Sequence, residues 1–347
     1  MNYKSIFNLL GILLGIFSLS FIPPLILTYM YRESGSDVFL YSFLFFCILG
    51  GTIWAATRQK DLPLNISDGF VITTLFWVVL ACAGSIPFYF FGLSVSDAIF
   101  ESVSGITTTG ATTIVGLDSL PKSILLYRQL LQWIGGMGLI VLAVAVMPAL
   151  GIGGSQLYKM ELPGTHGNQK LTPKITDSAK ALWKIYVGLT VLCASLYLLS
   201  GMSLFDSIAH SLSTVAGGGF STHDDSIGFF NSGLVETVCI IFMLLSAASF
   251  AVHYAAIFGG KPLKYFYDSE FRFFLSVVLL ITTVSLSIHI ISNSYTDVFT
   301  AFGSTIFHTV SIVTTSGFTT EDFSLWPGFL PYLLLVGAFM GACSLWS

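Results

Sequence analysis

The chain has 347 residues, of which 54% are hydrophobic and 9% charged, and its formal net charge is -4. A water-soluble domain carries about 25% charged residues. This chain has too little charge to cover a water-facing surface, so a soluble globular protein is excluded and a polytopic, all-α membrane protein is expected.

The N-terminus reads Met1-Asn2-Tyr3-Lys4 and runs into an apolar stretch that ends near Tyr31. That stretch is too long for the core of a signal peptide and has no small-residue cleavage site, so it reads as a retained first span. Runs long enough to cross about 30 Å of hydrocarbon predict spans near 6–30, 38–57, 70–92, 124–150, 182–202, 233–258, 271–292 and 326–344. If the spans alternate, Lys4, Arg58, Lys60, the lysines of 159–184, Lys261, Lys264 and Arg272 fall on one side, and only Arg32, Lys122 and Arg128 on the other. Basic residues favour cytoplasmic loops, which puts the N-terminus inside.

Between long spans lie short segments of about nine residues, at 97–105, 206–214 and 304–312. Each leads into a stretch rich in Gly, Ser and Thr. The three stretches are Ser104-Gly105-Ile106-Thr107-Thr108-Thr109-Gly110, Ser213-Thr214-Val215-Ala216-Gly217-Gly218-Gly219 and Ser311-Ile312-Val313-Thr314-Thr315-Ser316-Gly317. With Gly110, Gly219 and Gly317 in one column, Ser104, Ser213 and Ser311 precede them by six residues. Thr112, Ser221 and Thr319 follow by two, and Glu101, His210 and His308 precede by nine. Such repetition predicts a multi-unit architecture. Each unit reads as a half-helix that enters the membrane and stops, followed by an extended loop that returns to the outer face.

Irregular backbone at membrane depth is tolerated where protein or a water-filled cavity satisfies it. Loop carbonyls around an axis replace the water shell of a dehydrated cation, and the negative end of each half-helix points at the centre. Glycine supplies the positive φ that such loops need. The acids Asp97, Glu101, Asp118, Asp206, Asp224, Asp225, Asp297, Glu321 and Asp322 collect on the outer side, where they concentrate cations. Glu101, His210 and His308 are expected to anchor the short helices rather than to bind the ion.

Other features have plainer readings. Cys47, Cys82, Cys193, Cys239 and Cys343 lie in apolar stretches without a CxxC pair and read as small hydrophobes. His223-Asp224-Asp225 reads as a solvated loop rather than a metal site. Gly135-Gly136-Met137-Gly138 and Gly151-Ile152-Gly153-Gly154 follow no strand, so close helix packing is expected rather than phosphate binding. Few ionisable side chains fall within the spans, which disfavours the alternative of a membrane-embedded enzyme.

The residues flanking the loops resemble a known family. They are Arg128-Gln129-Leu130-Leu131-Gln132-Trp133-Ile134-Gly135-Gly136-Met137-Gly138, Gly151-Ile152-Gly153-Gly154-Ser155-Gln156-Leu157-Tyr158-Lys159-Met160-Glu161-Leu162-Pro163-Gly164, Leu171-Thr172-Pro173-Lys174-Ile175 and Gly219-Phe220-Ser221-Thr222-His223-Asp224. They are similar to the TrkH/TrkG membrane subunit of bacterial Trk potassium uptake systems. The resemblance implies an initial helix pair and four helix–pore loop–helix units about a potassium path in the bacterial inner membrane. It also implies a homodimer gated by a cytoplasmic, nucleotide-binding TrkA-type subunit, in contact with membrane lipid and not with nucleic acid. Potassium is then the transported ion and no cofactor is expected. Filter carbonyls are expected from Thr108 and Thr109, from Gly217 and Gly218, and from Thr315 and Ser316, with Gly110, Gly219 and Gly317 beside them. The segment 151–181 and the basic loop 259–272 are the expected surfaces for the regulatory subunit.

The expected domains are 1–66 for the initial helix pair, 67–165 for the first unit with its cytoplasmic segment, 166–265 for the second, and 266–347 for an incomplete third. Three loops are present and the chain ends Leu345-Trp346-Ser347. The family resemblance therefore implies a subunit shortened at the C-terminus, with a non-conducting fragment as the alternative reading.

Overall fold

The structure is a computed structural model in which residues 2–33, 35–58, 66–150, 175–261 and 263–346 are described. It is all-helical, with no strand among the described residues. Of the predicted segment 151–181, residues 151–174, with the glycine cluster, lie outside them.

The first predicted span is not one continuous helix. It comprises α1 (Tyr3–Ser18), a 3-10 turn at Leu19–Phe21 and α2 (Ile22–Tyr31). Pro23 and Pro24 supply no backbone N–H to the carbonyls four residues before them, so the helix tightens there instead of continuing. α3 (Ser36–Thr57) crosses α1 closely. A Cβ on Gly11 would lie 2.9 Å from the Gly50 carbonyl oxygen, and one on Gly50 would lie 2.7 Å from that of Gly11. Glycines let membrane helices approach to backbone contact.

Next come α4 (Ile66–Phe90), the short α5 (Val95–Ile106) and α6 (Lys122–Leu150). A similar succession follows in α7 (Ile175–Leu199), α8 (Leu204–Ala216), α9 (Gly233–Ser246), α10 (Phe250–Ile257) and α11 (Lys264–Tyr267). It recurs in α12 (Ser269–Ile291), α13 (Val298–Val313) and α14 (Leu330–Trp346). Helices α1–α6 fall in one compact unit, and the chain from Ala181 onward forms a second.

Among the described residues, Tyr3–Tyr31, Asp37–Thr57, Ser67–Phe90, Lys180–Leu199 and Ser269–Ile291 are long and apolar enough to cross a membrane. The predicted sixth span differs: it stops at Ser246 and resumes at Phe250. The Leu245 carbonyl there accepts from Ala248 N–H at 3.1 Å and from His253 Nε2 at 2.9 Å, so a turn and an imidazole replace the regular ladder. The predicted eighth span begins later than 326, at Leu330, because Pro327 and left-handed Gly328 (φ 65°) make a turn before it.

The short helices are longer than the nine residues expected, at 12, 13 and 16 residues. Their caps set the lengths. Ser94 and Ser203 each accept the backbone N–H three residues on, while their hydroxyls donate to Asp97 and Asp206 at 2.6 and 2.7 Å. This is a reciprocal N-cap. Asp297 caps α13 through the N–H groups of Phe299 and Thr300, so α13 starts one turn earlier relative to its column glycine. Even 16 residues rise only about 24 Å, short of the roughly 30 Å core.

α5 is wedged between α4 and α6. The Ser102 hydroxyl donates to the Ala81 carbonyl at 2.6 Å, and the Tyr127 hydroxyl to that of Gly84 at 3.0 Å. A Cβ on Gly135 would lie 2.0 Å from the Ile106 carbonyl oxygen. Gly135 thus serves close helix packing, as expected. Cys193 and Cys239 are buried free thiols, and Cys47 and Cys82 are exposed free thiols; the side chain of Cys343 lies outside the described residues.

Candidate functional site: three loops with one backbone

The three Gly/Thr loops leave their short helices by the same hydrogen bonds. The N–H groups of Thr109, Gly218 and Ser316 return to the carbonyls of Ser104, Ser213 and Ser311 at 2.9, 3.0 and 2.9 Å. Those of Thr108, Gly217 and Thr315 return to Gly105, Thr214 and Ile312 at 3.0, 3.1 and 3.0 Å. Two nested bonds of this kind close a helix in a Schellman motif, which needs a left-handed residue at its turn. The residues there have φ 54° at Thr108, 69° at Gly217 and 60° at Thr315. Two positions on, Gly110, Gly219 and Gly317 have φ 78°, 77° and 81°.

Glycine meets this geometry without strain. Threonine does not: a left-handed L-residue costs about 1–2 kcal/mol, and β-branching makes it rarer still. Two strained threonines at matching positions in separate loops are therefore maintained by their surroundings, a pattern that concentrates at functional sites. In the first loop the Thr107 hydroxyl bonds the Val103 carbonyl and the Thr109 hydroxyl, both at 2.7 Å. In the third, Thr314 bonds the Ser316 hydroxyl at 3.0 Å. The second loop has Ala216 and Gly218 at these positions, so it holds the same backbone without that brace. The serine column closes the far side: Ser104 donates to Ala111 O and Ser311 to Phe318 O, each at 2.6 Å.

The column nine residues before the glycine ties each short helix to its returning loop, matching the expected anchoring role. Glu101 is fully buried, and its Oε1 accepts from the Thr112 hydroxyl at 2.5 Å and from Thr113 N–H at 2.7 Å. Arg128 of α6, also fully buried, donates Nε to Glu101 Oε2 at 3.2 Å and a terminal nitrogen to Thr112 at 2.9 Å. In the second loop, His210 Nδ1 donates to the Asp206 carbonyl at 3.0 Å. That fixes the neutral tautomer, leaving Nε2 to accept the Ser221 hydroxyl at 2.9 Å. In the third, His308 Nδ1 donates to Ser304 O at 2.9 Å and Nε2 accepts Thr320 N–H at 3.3 Å.

The second and third loops touch. A Cβ on Gly219 would lie 1.7 Å from the Ser316 carbonyl oxygen. Thr319 O accepts from Gly228 N–H at 3.1 Å, and Thr319 N–H donates to Ser226 Oγ at 3.2 Å. The first loop, with Thr108, Thr109 and Gly110, belongs to the other compact unit.

Sequence reading missed several members of the site. Arg128 is the partner of Glu101; its only sequence signal is a guanidinium inside an otherwise apolar helix start, where a buried charge needs a counter-charge. Asp206 accepts the Thr222 hydroxyl at 2.8 Å and lies 3.4 Å from His223. Asp224 and Asp225 are exposed as expected, but the His223 ring stacks on Phe229 at 3.5 Å between centroids. No cluster of metal-ligand type occurs among the described residues. Glu321 gathers the hydroxyls of Tyr295 and Ser304 and accepts Trp326 Nε1–H at 2.9 Å. Partial burial pushes the Glu321 carboxyl up, but these donors outweigh it and leave it below the ordinary range. Tyr295 beside it is pushed up to about 12 by burial and by the carboxylate.

These features define a multi-pass helical membrane protein whose long helices are interrupted by short helices with strained Gly/Thr loops. A family model described as a cation transport protein, TrkH, matches residues 35–345. The Trk system potassium uptake protein TrkH of Vibrio parahaemolyticus is 48% identical over 99% of this chain and 72% of its own length. TrkG of Escherichia coli is 41% identical over 99% of this chain and 71% of its length. The crystal structure of the potassium transporter TrkH from Vibrio parahaemolyticus superposes with a TM-score of 0.86 at 46% identity, covering 98% of this chain and 70% of that one. The chain belongs to the TrkH family of cation transport proteins, a family of transporters rather than enzymes.

Proposed function

We propose that the chain is the translocating subunit of a Trk-type potassium uptake system and that its three loops line the ion path. Potassium sheds its water shell onto the carbonyls of Thr108, Thr109, Gly217, Gly218, Thr315 and Ser316, with Gly110, Gly219 and Gly317 giving the turns. The observation that carries this reading is the shared backbone: left-handed residues recur at the same two positions in all three loops, and two of them are threonines. The names of the relatives as potassium uptake proteins support the choice of ion.

The C-terminal ends of α5, α8 and α13 lead directly into the loops, so about half a negative charge from each helix dipole favours a cation there. The membrane potential supplies the drive, worth about 2.3 kcal/mol per charge per 100 mV. The protein sits in the bacterial inner membrane with its N-terminus in the cytoplasm and functions as a homodimer. The loop 259–272 offers Leu263, Phe266 and Tyr267 as exposed apolar side chains beside Lys261, Lys264 and Arg272, a surface suited to a TrkA-type regulatory subunit; the other expected surface is 151–181, of which 151–174 lies outside the described residues.

The test is potassium-dependent growth and potassium uptake in a bacterial strain lacking its own uptake systems and expressing the gene for this chain. Uptake that competes with rubidium, and that Gly219→Ser makes less selective against sodium, is the expected result. Uptake with unchanged selectivity in that variant rejects the assignment of the loops.

A further inference from the structure

Helix α12 carries two populations of hydroxyls. Ser276, Thr283 and Ser287 face outward, and each donates to the carbonyl four residues before it, at 2.8, 2.7 and 2.8 Å. This local bond is how a hydroxyl is satisfied on an apolar surface. Thr282 and Ser285 on the same helix are buried, at 6% and 0% exposure, and have no hydrogen-bond partner among the described residues. His289, one turn further on and 1% exposed, has neither ring nitrogen satisfied. On α13, which packs against α12, Thr305 and Thr309 are fully buried and equally without partners.

These side chains form two stripes. Thr282, Ser285 and His289 are three and four residues apart, and Thr305 and Thr309 are four apart, so each set shares one helix face. Together they bring six polar atoms into buried surroundings. An unsatisfied buried hydroxyl costs about 1–3 kcal/mol, and such groups are paired with protein or ordered water in nearly all native proteins.

The corresponding helix pair in the first unit shows what is missing here. Thr309 lies eight residues before Gly317, as Ser102 lies eight before Gly110. Ser102 reaches across directly to the Ala81 carbonyl of α4. The second short helix reaches α7 through the Tyr197 and Thr214 hydroxyls, 2.9 Å apart. The Thr309 hydroxyl makes no hydrogen bond to α12 among the described residues.

We propose that a cluster of ordered water molecules is bound between α12 and α13, held by Thr282, Ser285, His289, Thr305 and Thr309. Water is the ligand the chemistry selects: hydroxyls and a neutral imidazole both donate and accept, and no charged group belongs to the set. The cluster takes the place of the direct hydrogen bond that fastens α5 to α4. Close contacts flank it on two sides. On one side the His289 ring meets Tyr295 and Trp326 edge-on, at 4.9 and 4.6 Å between centroids. On the other, Gly337 of α14 is packed so tightly that a Cβ would lie 2.7 Å from Ile281 Cδ1 and 3.0 Å from Val313 Cγ2. All five side chains are at most 6% exposed, so the site is shielded from the surface of the protein.

The test is an experimental density map of the purified protein at a resolution that shows water, together with the thermal midpoints of Thr305→Val and Thr309→Val. Discrete peaks within hydrogen-bond distance of at least three of the five side chains are expected, and they should disappear locally in each variant. Valine matches threonine in shape, so it should lower the midpoint by several degrees if it strands water. A dry interface, with the hydroxyls turned onto the carbonyls of Val278, Ile281, Ala301 and Thr305, overturns the proposal. So does an unchanged or raised midpoint in both variants. If neither variant folds, the map of the unaltered protein decides alone.

Discussion

The first and third Gly/Thr loops share a backbone to within a few degrees at the matching left-handed residues, yet they are fastened by opposite chemistry. Glu101 and Arg128 hold the first loop with a fully buried ion pair. His308 holds the third as a neutral ring between Ser304 and Thr320. The second loop follows the third in its histidine, and departs from both in lacking a hydroxyl brace. The same conformation is therefore reached with different anchors, and with a hydroxyl brace in two loops and without one in the second. The loop residues themselves are free to differ, provided something holds the left-handed turn.

The largest effect that separates the anchors is expected from Arg128→Ala. It leaves the buried Glu101 without its counter-charge, which costs about 3–5 kcal/mol and should appear as a large drop in thermal midpoint and in folded yield. Glu101→His combined with Arg128→Leu converts the first anchor to the histidine type and should recover most of that loss. If the double variant is as unstable as Arg128→Ala, the two anchors are not interchangeable.

A smaller loss, about 1–3 kcal/mol, is expected from His308→Phe, which strands the Thr320 N–H. Smaller again are changes at the left-handed turn. Gly217→Thr should destabilise by about 1–2 kcal/mol, because the second loop has no hydroxyl brace, whereas Thr315→Gly should be neutral or stabilising by up to about 1 kcal/mol. Denaturation midpoints of the two variants test the asymmetry directly, and equal destabilisation by both contradicts it.

The smallest effect concerns pH. The Glu321 carboxyl is lowered in the folded protein, so its stabilisation is complete above the ordinary carboxylate range near pH 4.3 and fades as pH falls through the lower, folded value. Glu321→Gln should therefore be slightly less stable than the parent at pH 7 and indistinguishable from it under strong acid. A gap that widens on acidification would reverse the sign of the argument.

Much of this was legible in the sequence, because a repeat exposes its own register. The column glycines, the serines six before them and the anchors nine before them all fell into equivalent positions. The break of the first span was also written in Pro23-Pro24, although apolar length alone hid it. Other parts depend on contacts across the fold. Nothing local marks Arg128 as the counter-charge of Glu101, since the two lie 27 positions apart. The interruption at 247–249 carries no proline or glycine, and rests on His253 taking up the Leu245 carbonyl. The extra turn of α13 follows from Asp297 capping earlier than the serines do, a choice that apolar periodicity cannot read.

The central claim is that three equivalent loops line one cation path. The most direct measurement is the potassium-over-sodium preference of uptake for Gly110→Ser, Gly219→Ser and Gly317→Ser, each verified as folded by its thermal midpoint. All three glycines have φ between 77° and 81°, so a Cβ strains each turn alike. The account predicts that every one of the three erodes the preference for potassium, with Gly219 most affected because of its contact with the Ser316 carbonyl. Unaltered preference in three folded, conducting variants would contradict it.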